Sequence, residues 1–433
     1  MTATIRKIPL SQALLTWRQT TEFYFLRRFL DEMRSNTPAD SNGAAQEQAK
    51  SRSLRFEPIA ALARLLVGLI KVFALPRNKV VVFNHTKRCR IEANQKRPLY
   101  ITEHFSRNEI VVVEDAPHGP SQMLGYPVFS GWEINRGAEL IAWFYTKVLR
   151  AGHSLHDRDI VNFYVKRHIW RLIFIVLRPK AVFTFVWYGK EAIVAAAKSL
   201  GIKVCDVQHG IIYKSHPHYQ LADAPAGSEV MRPDECLVYG EFWKEKLLRS
   251  AWPADQVQVA GYFLDMAEAQ SLGTSAPYIL YTSQPHTHAA IKTHITAILD
   301  TVVQRGWQII IALHPSDSPN AYHDIRAMPG VSIGMIDSYD LLRHCHVHIS
   351  VSSTLLWESM LFNKSSYVLN FGVEAQDLLN DFVELGFGRP LAQDAFPEPF
   401  QMPLSPLPDY FFQGKVAFPF LSPNLTNSHG LPS

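Results

Sequence analysis

The sequence predicts an α/β protein made of two Rossmann-like domains that face each other across a cleft, preceded by a helical extension. Three observations carry that prediction. Short β-branched runs alternate with stretches of helical periodicity, as in parallel sheets covered by helices on both faces. The alternation halts at Gln270–Pro277, where Ser, Gly, Thr and Pro gather, and then restarts. Three polar motifs each stand where a predicted strand gives way to a loop or helix: Val207-Gln208-His209-Gly210, His314-Pro315 and Ser350-Val351-Ser352-Ser353-Thr354. Open α/β sheets build their ligand sites beyond the carboxyl ends of their strands, so the motifs point to a site between two halves.

The chain has 433 residues, beyond the roughly 250–300 at which one core stops growing, so more than one domain is expected. The pattern divides it into an extension and linker over 1–77, a first domain over 78–269, a second over 270–395 and a Pro-rich tail over 396–433. Residues 1–34 read as an amphipathic helix, and 35–53, rich in Ser, Asn, Ala, Gln and Lys, as a solvated linker. Ile59–Leu75 is apolar except for Arg64 and Lys71, slightly short of the ~20 residues of a spanning helix. With Arg55, Arg64, Lys71 and Arg77 as a basic border, residues 55–77 suit either an interfacial helix on anionic lipid or a helix buried against the first domain.

In the first domain, Lys79–Phe83, Leu99–Thr102, Ile110–Val113, Ala181–Trp187, Lys203–Val207, Glu235–Tyr239 and Val257–Ala260 read as strands, with helices at 138–150, 159–177 and 190–200. In the second, strands are expected at Tyr278–Thr282, Gln308–Leu313, Val331–Ile336, Val347–Val351 and Tyr367–Asn370, and helices at Ala289–Arg305, Tyr339–His344 and Thr354–Phe362. From about residue 395, Pro, Phe and Ser suit a segment that wraps over a domain surface or frays.

Composition excludes several classes. With 47% apolar and 19% charged residues and a net charge of +4, wholesale disorder is excluded and nucleic-acid binding has no support. Cys89, Cys205, Cys236 and Cys345 are widely spaced, which argues against a disulfide framework or structural zinc and fits a reducing cytosol. The first residues lack a secretory pattern, so a cytoplasmic protein is expected, with the inner face of the inner membrane as a peripheral location if 55–77 binds lipid. The sequon Asn424-Leu425-Thr426 then has no use.

Each motif suggests chemistry. Gly210 permits close ligand approach beside His209, whose imidazole, titrating near ~6.5 when unperturbed, suits a general base taking a proton from a hydroxyl; the alternative is a histidine that only hydrogen-bonds its loop. His216, Pro217, His218 and Tyr219 make the following loop polar and aromatic, as a sugar or nucleotide surface is. Pro315 stops an apolar strand and holds His314 extended at its tip, where an imidazole can neutralise charge on a leaving phosphate. Ser352, Ser353 and Thr354 open a helix and suit either an anion site or an ordinary N-cap. Glu358, one turn further on, is placed to accept from a ribose. His85, Lys87 and Arg88 end a strand and suit an anionic acceptor or a basic surface loop.

The order His-Gly, His-Pro and Ser-Ser-Thr with a trailing Glu resembles the bacterial GT-B glycosyltransferases and related transferases of capsule, lipopolysaccharide and teichoic-acid assembly, including sialyl-, Kdo- and polyol-phosphate transferases. The resemblance spans about residues 78–390. It implies a GT-B fold and a nucleotide-sugar donor whose phosphate is held by His314, Ser352 and Ser353. It also implies a base from the first domain, His209 by likeness to the polyol-phosphate transferases. The acceptor is expected to be a polysaccharide or glycolipid, with inversion of configuration and no metal or cofactor. A CMP-linked acidic sugar is the favoured donor, with UDP- and GDP-sugars as alternatives. Sialyltransferases of this type use an acidic pair followed by Gly; here Glu114-Asp115 is followed by Ala116.

His344, His346 and His348 alternate as if on one strand face, but at about 6.6 Å between alternate positions they reach one ion poorly. Gly-x-Gly-x-x-Gly, Gly-Lys-Ser/Thr, Gly-x-Ser-x-Gly and His-Glu-x-x-His are absent, which removes support for dehydrogenases, P-loop ATPases, serine esterases and zinc proteases. A nucleotide-sugar 2-epimerase is an alternative of the same fold, although its His-x-Glu-Ala-Gly stretch is replaced by His209-Gly-Ile-Ile-Tyr213. A non-catalytic scaffold docked through residues 1–75 is a third reading.

Overall fold

The computed structural model describes residues 58–84, 89–92, 95–98, 105–106, 108–114, 126–148, 155–213, 216, 218–219, 221, 232–262, 276–284, 287–314, 317–334, 338–370, 373–403 and 408–414. The expected 1–34 helix, the strand Leu99–Thr102, Asp115, the candidate acceptor residues His85, Lys87 and Arg88, and the tail beyond 414 lie outside them.

The first half opens with α1 (Pro58–Phe73), β1 (Val80–Asn84), a two-stranded antiparallel hairpin of β2 (Cys89–Glu92) and β3 (Gln95–Pro98), β4 (Ile110–Glu114) and β5 (Val128–Ser130). It continues through α2 (Gly131–Val148), α3 (Leu155–Leu177), β6 (Ala181–Phe185), α4 (Glu191–Lys198), β7 (Lys203–Val207), β8 (Glu235–Val238), α5 (Glu241–Arg249) and β9 (Val257–Val259). Its seven main strands form one parallel sheet in the order β5-β4-β1-β6-β7-β8-β9. Val80–Phe83 and Ile110–Val113 are buried throughout, as strands covered on both faces must be. α4 presents Ala192, Ala195, Ala196 and Ala197 to the interior, and these small side chains let the helix lie close to the sheet.

The second half runs β10 (Tyr278–Thr282), α6 (His288–Gln304), β11 (Gln308–Ala312), β12 (Val331–Gly334), α7 (Ser338–His344), β13 (Val347–Ser350), α8 (Leu355–Glu358), β14 (Ser365–Leu369), α9 (Val373–Glu384) and β15 (Gly388–Leu391). These six strands are also all parallel, in the order β12-β11-β10-β13-β14-β15. Both sheets therefore wind outward in two directions from a central strand pair, β1/β6 and β10/β13, and the fold is the predicted pair of Rossmann-like α/β domains.

The chain then returns to the first half. α10 (Pro408–Phe411) lays Phe411 against Trp243 of α5, whose indole N–H donates to the Phe411 carbonyl at 2.8 Å. The largest buried cluster is continuous across both halves, since Leu356, Trp357 and Met360 join Trp243, Leu247 and Phe411 in it.

Candidate functional site

In the second sheet, register places the candidate residues. Thr282 at the end of β10 pairs with Ala312 of β11 on one side and Ser350 of β13 on the other. His314 and Ser352 each lie two residues past those partners, so they flank the end of β10 from strands about 10 Å apart. This is the sheet's switch point, where its crevice opens. Between them stands Ser283, which the sequence reading passed over: its Oγ accepts the His314 backbone N–H at 3.1 Å and donates to Asp317 Oδ2 at 2.5 Å. The other Asp317 oxygen meets His288 Nε2 at 2.5 Å, in the first turn of α6. The His-Pro loop is thus tied to two neighbouring elements, and His314 itself stays half-buried.

The Ser-Ser-Thr segment divides its labour. The Ser353 hydroxyl accepts the Leu355 N–H at 3.2 Å and so satisfies the first N–H of α8 from the residue before its N-cap, Thr354. Ser352 and Thr354 are half-buried one residue to either side. The expected helix Thr354–Phe362 consists of the single turn of α8 followed by a 3₁₀ turn, Ser359–Phe362. Any attraction for an anion here therefore comes from local N–H groups more than from a long helix dipole. Glu358 is buried at the end of that turn.

Behind the loop, Thr282 Oγ1 contacts His348 Nε2 at 3.0 Å, His348 Nδ1 contacts Ser366 Oγ at 3.2 Å, and Ser366 donates to Ser359 Oγ at 2.6 Å. Burial pushes the His348 imidazole down to about 3, so it is neutral in the folded protein. The three alternating histidines do not share a strand: His344 ends α7, His346 stacks on Trp307 at 5.5 Å, and only His348 lies in β13. Among the described residues no group of three metal-ligating side chains is brought together.

In the first sheet, Val207 at the end of β7 pairs with Phe185 of β6 and Leu237 of β8. Gln208, buried, clamps the turn that follows. Its amide oxygen accepts the Tyr239 N–H at 2.9 Å and its amide nitrogen donates to the Gly210 carbonyl at 2.8 Å. His209 is left half-buried, with Nε2 2.8 Å from the Tyr188 hydroxyl. Tyr188 comes from the turn after β6, which Val186 enters at φ 69 and Gly189 leaves at φ 77. A β-branched residue at positive φ is costly and needs support. Lys190 supplies some, donating its ammonium to the Val186 carbonyl at 3.0 Å.

The loop residues that read as a sugar or nucleotide surface, candidates for binding the acceptor, collect around the same tyrosine. His216 and His218 place their rings 5.3 and 4.9 Å from that of Tyr188, and His218 faces Glu191 at 3.4 Å. All three of His216, His218 and Tyr219 are buried. The Tyr219 hydroxyl donates to Asp206 Oδ2 at 2.7 Å, while Thr184 donates to Oδ1 at 2.8 Å. Burial raises the Asp206 carboxyl to about 7, against the opposing pull of the two hydroxyls and Lys190. This pins the 216–219 loop onto the sheet below His209.

The two sheet edges meet. A Cβ built on Gly210 would stand 3.2 Å from Thr354 Cγ2, so the His-Gly turn and the Ser-Ser-Thr segment touch. Trp357 fixes that approach, its ring 5.2 Å from Trp243 and 5.4 Å from Phe242 of α5. Tyr262 and Tyr339 bring their hydroxyls to 3.4 Å, and Lys246 pairs with Asp381. Of the predicted residues, Thr354 is thereby brought against Gly210, the residue that follows His209. Tyr188, Gln208, Ser283, Asp317 and Trp357 were missed, although Trp187-Tyr188-Gly189 repeats the pattern of an apolar strand ending before a glycine.

No family model matches the chain, and no curated protein matches it. Solved structures similar to it include a glycotransferase of kitacinnamycin, 12% identical, with a TM-score of 0.48 over 78% of this chain and 89% of that one. The UDP-GlcNAc 2-epimerase of Methanocaldococcus jannaschii is 13% identical, with a TM-score of 0.45 over 73% and 89%. The calicheamicin glycosyltransferase CalG4 is 14% identical, with a TM-score of 0.44 over 73% and 86%.

Proposed function

We propose that the protein is a GT-B glycosyltransferase that moves a sugar from a nucleotide-sugar donor to a bacterial surface polysaccharide or glycolipid. The observation that carries this reading is the contact of Gly210 with Thr354, which brings a candidate base and a candidate phosphate cradle to one place from different domains. In this reading His209, its imidazole plane fixed by Tyr188, takes the proton of the acceptor hydroxyl as that oxygen attacks the anomeric carbon. The bond to the donor phosphate breaks on the opposite face, which inverts the centre. His314, Ser352 and Ser353 stabilise the charge that collects on the departing phosphate, without a metal. Glu358 sits one turn behind as the ribose-side residue. His85, Lys87 and Arg88, outside the described residues, are proposed as acceptor contacts on the ground of their charge alone. A CMP-linked acidic sugar is the donor this reading favours.

The test is nucleotide release. Purified protein incubated with CMP-, UDP- and GDP-sugars is expected to liberate nucleotide from one class, and His314→Ala and His209→Ala are expected to abolish that release while the protein stays folded. Release from none of the three classes by folded protein would contradict the reading.

A further inference from the structure

Helix α1 is apolar on both sides, which is unusual for a helix at a protein surface. One face is accounted for. Leu65 and Val72 are buried, and a Cβ at Gly137 of α2 would lie 2.5 Å from Leu65, so α1 and α2 pack at glycine distance. The opposite face is exposed among the described residues: Leu62, Leu66, Val67, Ile70 and Phe73 are between 45% and 68% exposed. Beside it stand exposed cations, Arg64 and Lys71 on the helix and Arg77 just after it. No acidic residue occurs from Pro58 to Lys79. α3 adds exposed Arg171, Leu172 and Ile175, with exposed Arg178 just after it, and its end is bound to the end of the α1 segment by the Asn78 N–H to the Leu177 carbonyl at 2.9 Å.

We propose that this face docks in the plane of an anionic lipid bilayer, with the α1 side chains among the acyl chains and the cations on the headgroups. Two observations choose lipid over other covers. At 16 residues α1 is too short to span, and no described helix is long and apolar enough to cross a membrane. A two-fold contact with a second copy would set like charge against like charge on the same patch, whereas anionic headgroups satisfy the cations and the bilayer takes the apolar residues.

The patch also has a defined place relative to the strand ends. Trp170 of α3 packs on Phe83 near the carboxyl end of β1, at 5.0 Å, and bonds Asn135 of α2. The Lys166–Glu139 pair follows one turn further out. α2 beyond Asn135 and α3 before Trp170 therefore project past the carboxyl ends of the strands, and the first half of α1 runs beside them through Leu65 and Gly137. Exposed Ile141, Phe144 and Tyr145 lie on that projection. The face therefore runs the length of the first sheet, from its amino end at Asn78 and Leu177 to beyond the carboxyl end that carries His209. That placement suits a lipid-linked acceptor, although docking itself does not depend on the catalytic reading.

The test is co-sedimentation of the full-length protein with phosphatidylcholine vesicles and with equimolar phosphatidylcholine–phosphatidylglycerol vesicles, alongside sedimentation velocity without lipid. The protein is expected to pellet with the anionic vesicles and not with the neutral ones. Lys71→Gln should weaken binding roughly fivefold and Ile70→Glu at least about tenfold, each with an unchanged circular dichroism spectrum. Both substitutions are surface changes away from the packed face, and Phe73→Ser serves as the second apolar variant if Ile70→Glu fails to fold. Absence of binding to anionic vesicles, binding unaffected by these variants, or a lipid-free dimer that Ile70→Glu dissociates would overturn the proposal.

Discussion

Gly210 of the first domain and Thr354 of the second lie in van der Waals contact, so close that a Cβ on the glycine would stand 3.2 Å from Thr354 Cγ2. Two loops about 145 positions apart in sequence thereby form one surface. The contact brings the residue that follows His209 against the Ser-Ser-Thr segment, and a methyl group is enough to disturb it.

Gly210→Ala should therefore lower stability or open the domains slightly, because the threonine methyl must yield by a few tenths of an ångström. Thr354→Ser removes that methyl, and Gly210→Ala should be better tolerated in its presence. A double-mutant cycle by urea unfolding should give a coupling of about 0.5–1.5 kcal/mol. Strict additivity would mean the two residues do not meet in solution.

Trp357 welds the domains. Its replacement by Ala should cost about 3–5 kcal/mol and split one unfolding transition into two, followed by near-UV circular dichroism. Trp357→Phe should cost far less, since the buried indole N–H has no hydrogen-bond partner among the described residues and nothing polar is orphaned by losing it. Equal losses in both variants would show that the ring's packing is not what joins the halves.

Asp206 and His348 pull stability in opposite directions with pH. The Asp206 carboxyl is raised to about 7 in the fold, so between pH ~4 and ~7 the native state binds the extra proton, and this contribution falls as pH rises. His348 is lowered to about 3, so between pH ~3 and ~6.5 the unfolded state binds the extra proton, and this contribution is lost as pH falls. Asp206→Asn should leave a melting temperature that climbs more steeply from pH 4 to 7 than that of the wild type. His348→Gln should flatten or reverse the climb, and parallel profiles for all three proteins would contradict both assignments.

Tyr188→Phe removes the hydroxyl that meets His209 Nε2 and keeps the ring. The expected result is unchanged stability within about 1 kcal/mol, with a displaced pH optimum for nucleotide release. An unaltered pH profile would mean that Tyr188 does not orient the imidazole.

The architecture was legible wherever strands are buried on both faces. Val80–Phe83, Ile110–Val113 and Ile309–Ile311 are continuous apolar runs because helices cover both sides of each sheet. Elements without that signature escaped. β5 is only three residues long, and in the hairpin β2, Cys-Arg-Ile-Glu, alternates over only four residues while β3, Gln-Lys-Arg-Pro, does not alternate at all. β15, Gly388-Arg389-Pro390-Leu391, carries a proline that only an edge strand accepts.

Of the candidate site, the strand-tip motifs announced themselves by following apolar runs, so the position of His209, His314 and Ser352 just past strand ends was legible. Their supports were not, because the role of a residue such as Ser283 or Gln208 depends on which strand lies beside it. The Thr282–Ser283 tip carries no motif, yet β10 lies between β11 and β13 and so must sit at the centre of the second domain's crevice. Tyr219 shows the reverse: its composition suggested a binding surface, and its hydroxyl is engaged by the buried Asp206.

The measurement that bears most directly on the proposed function is a thermal-shift series with CMP, CDP, UDP, GDP and ADP on the wild type, His314→Ala and Ser352→Ala. A ligand that binds only the folded state raises the melting temperature. One nucleotide class should stabilise the wild type, and both variants should lose the shift while melting normally without ligand. No shift with any nucleotide at millimolar concentration, or a shift that survives both substitutions, would contradict a nucleotide site at the ends of β11 and β13.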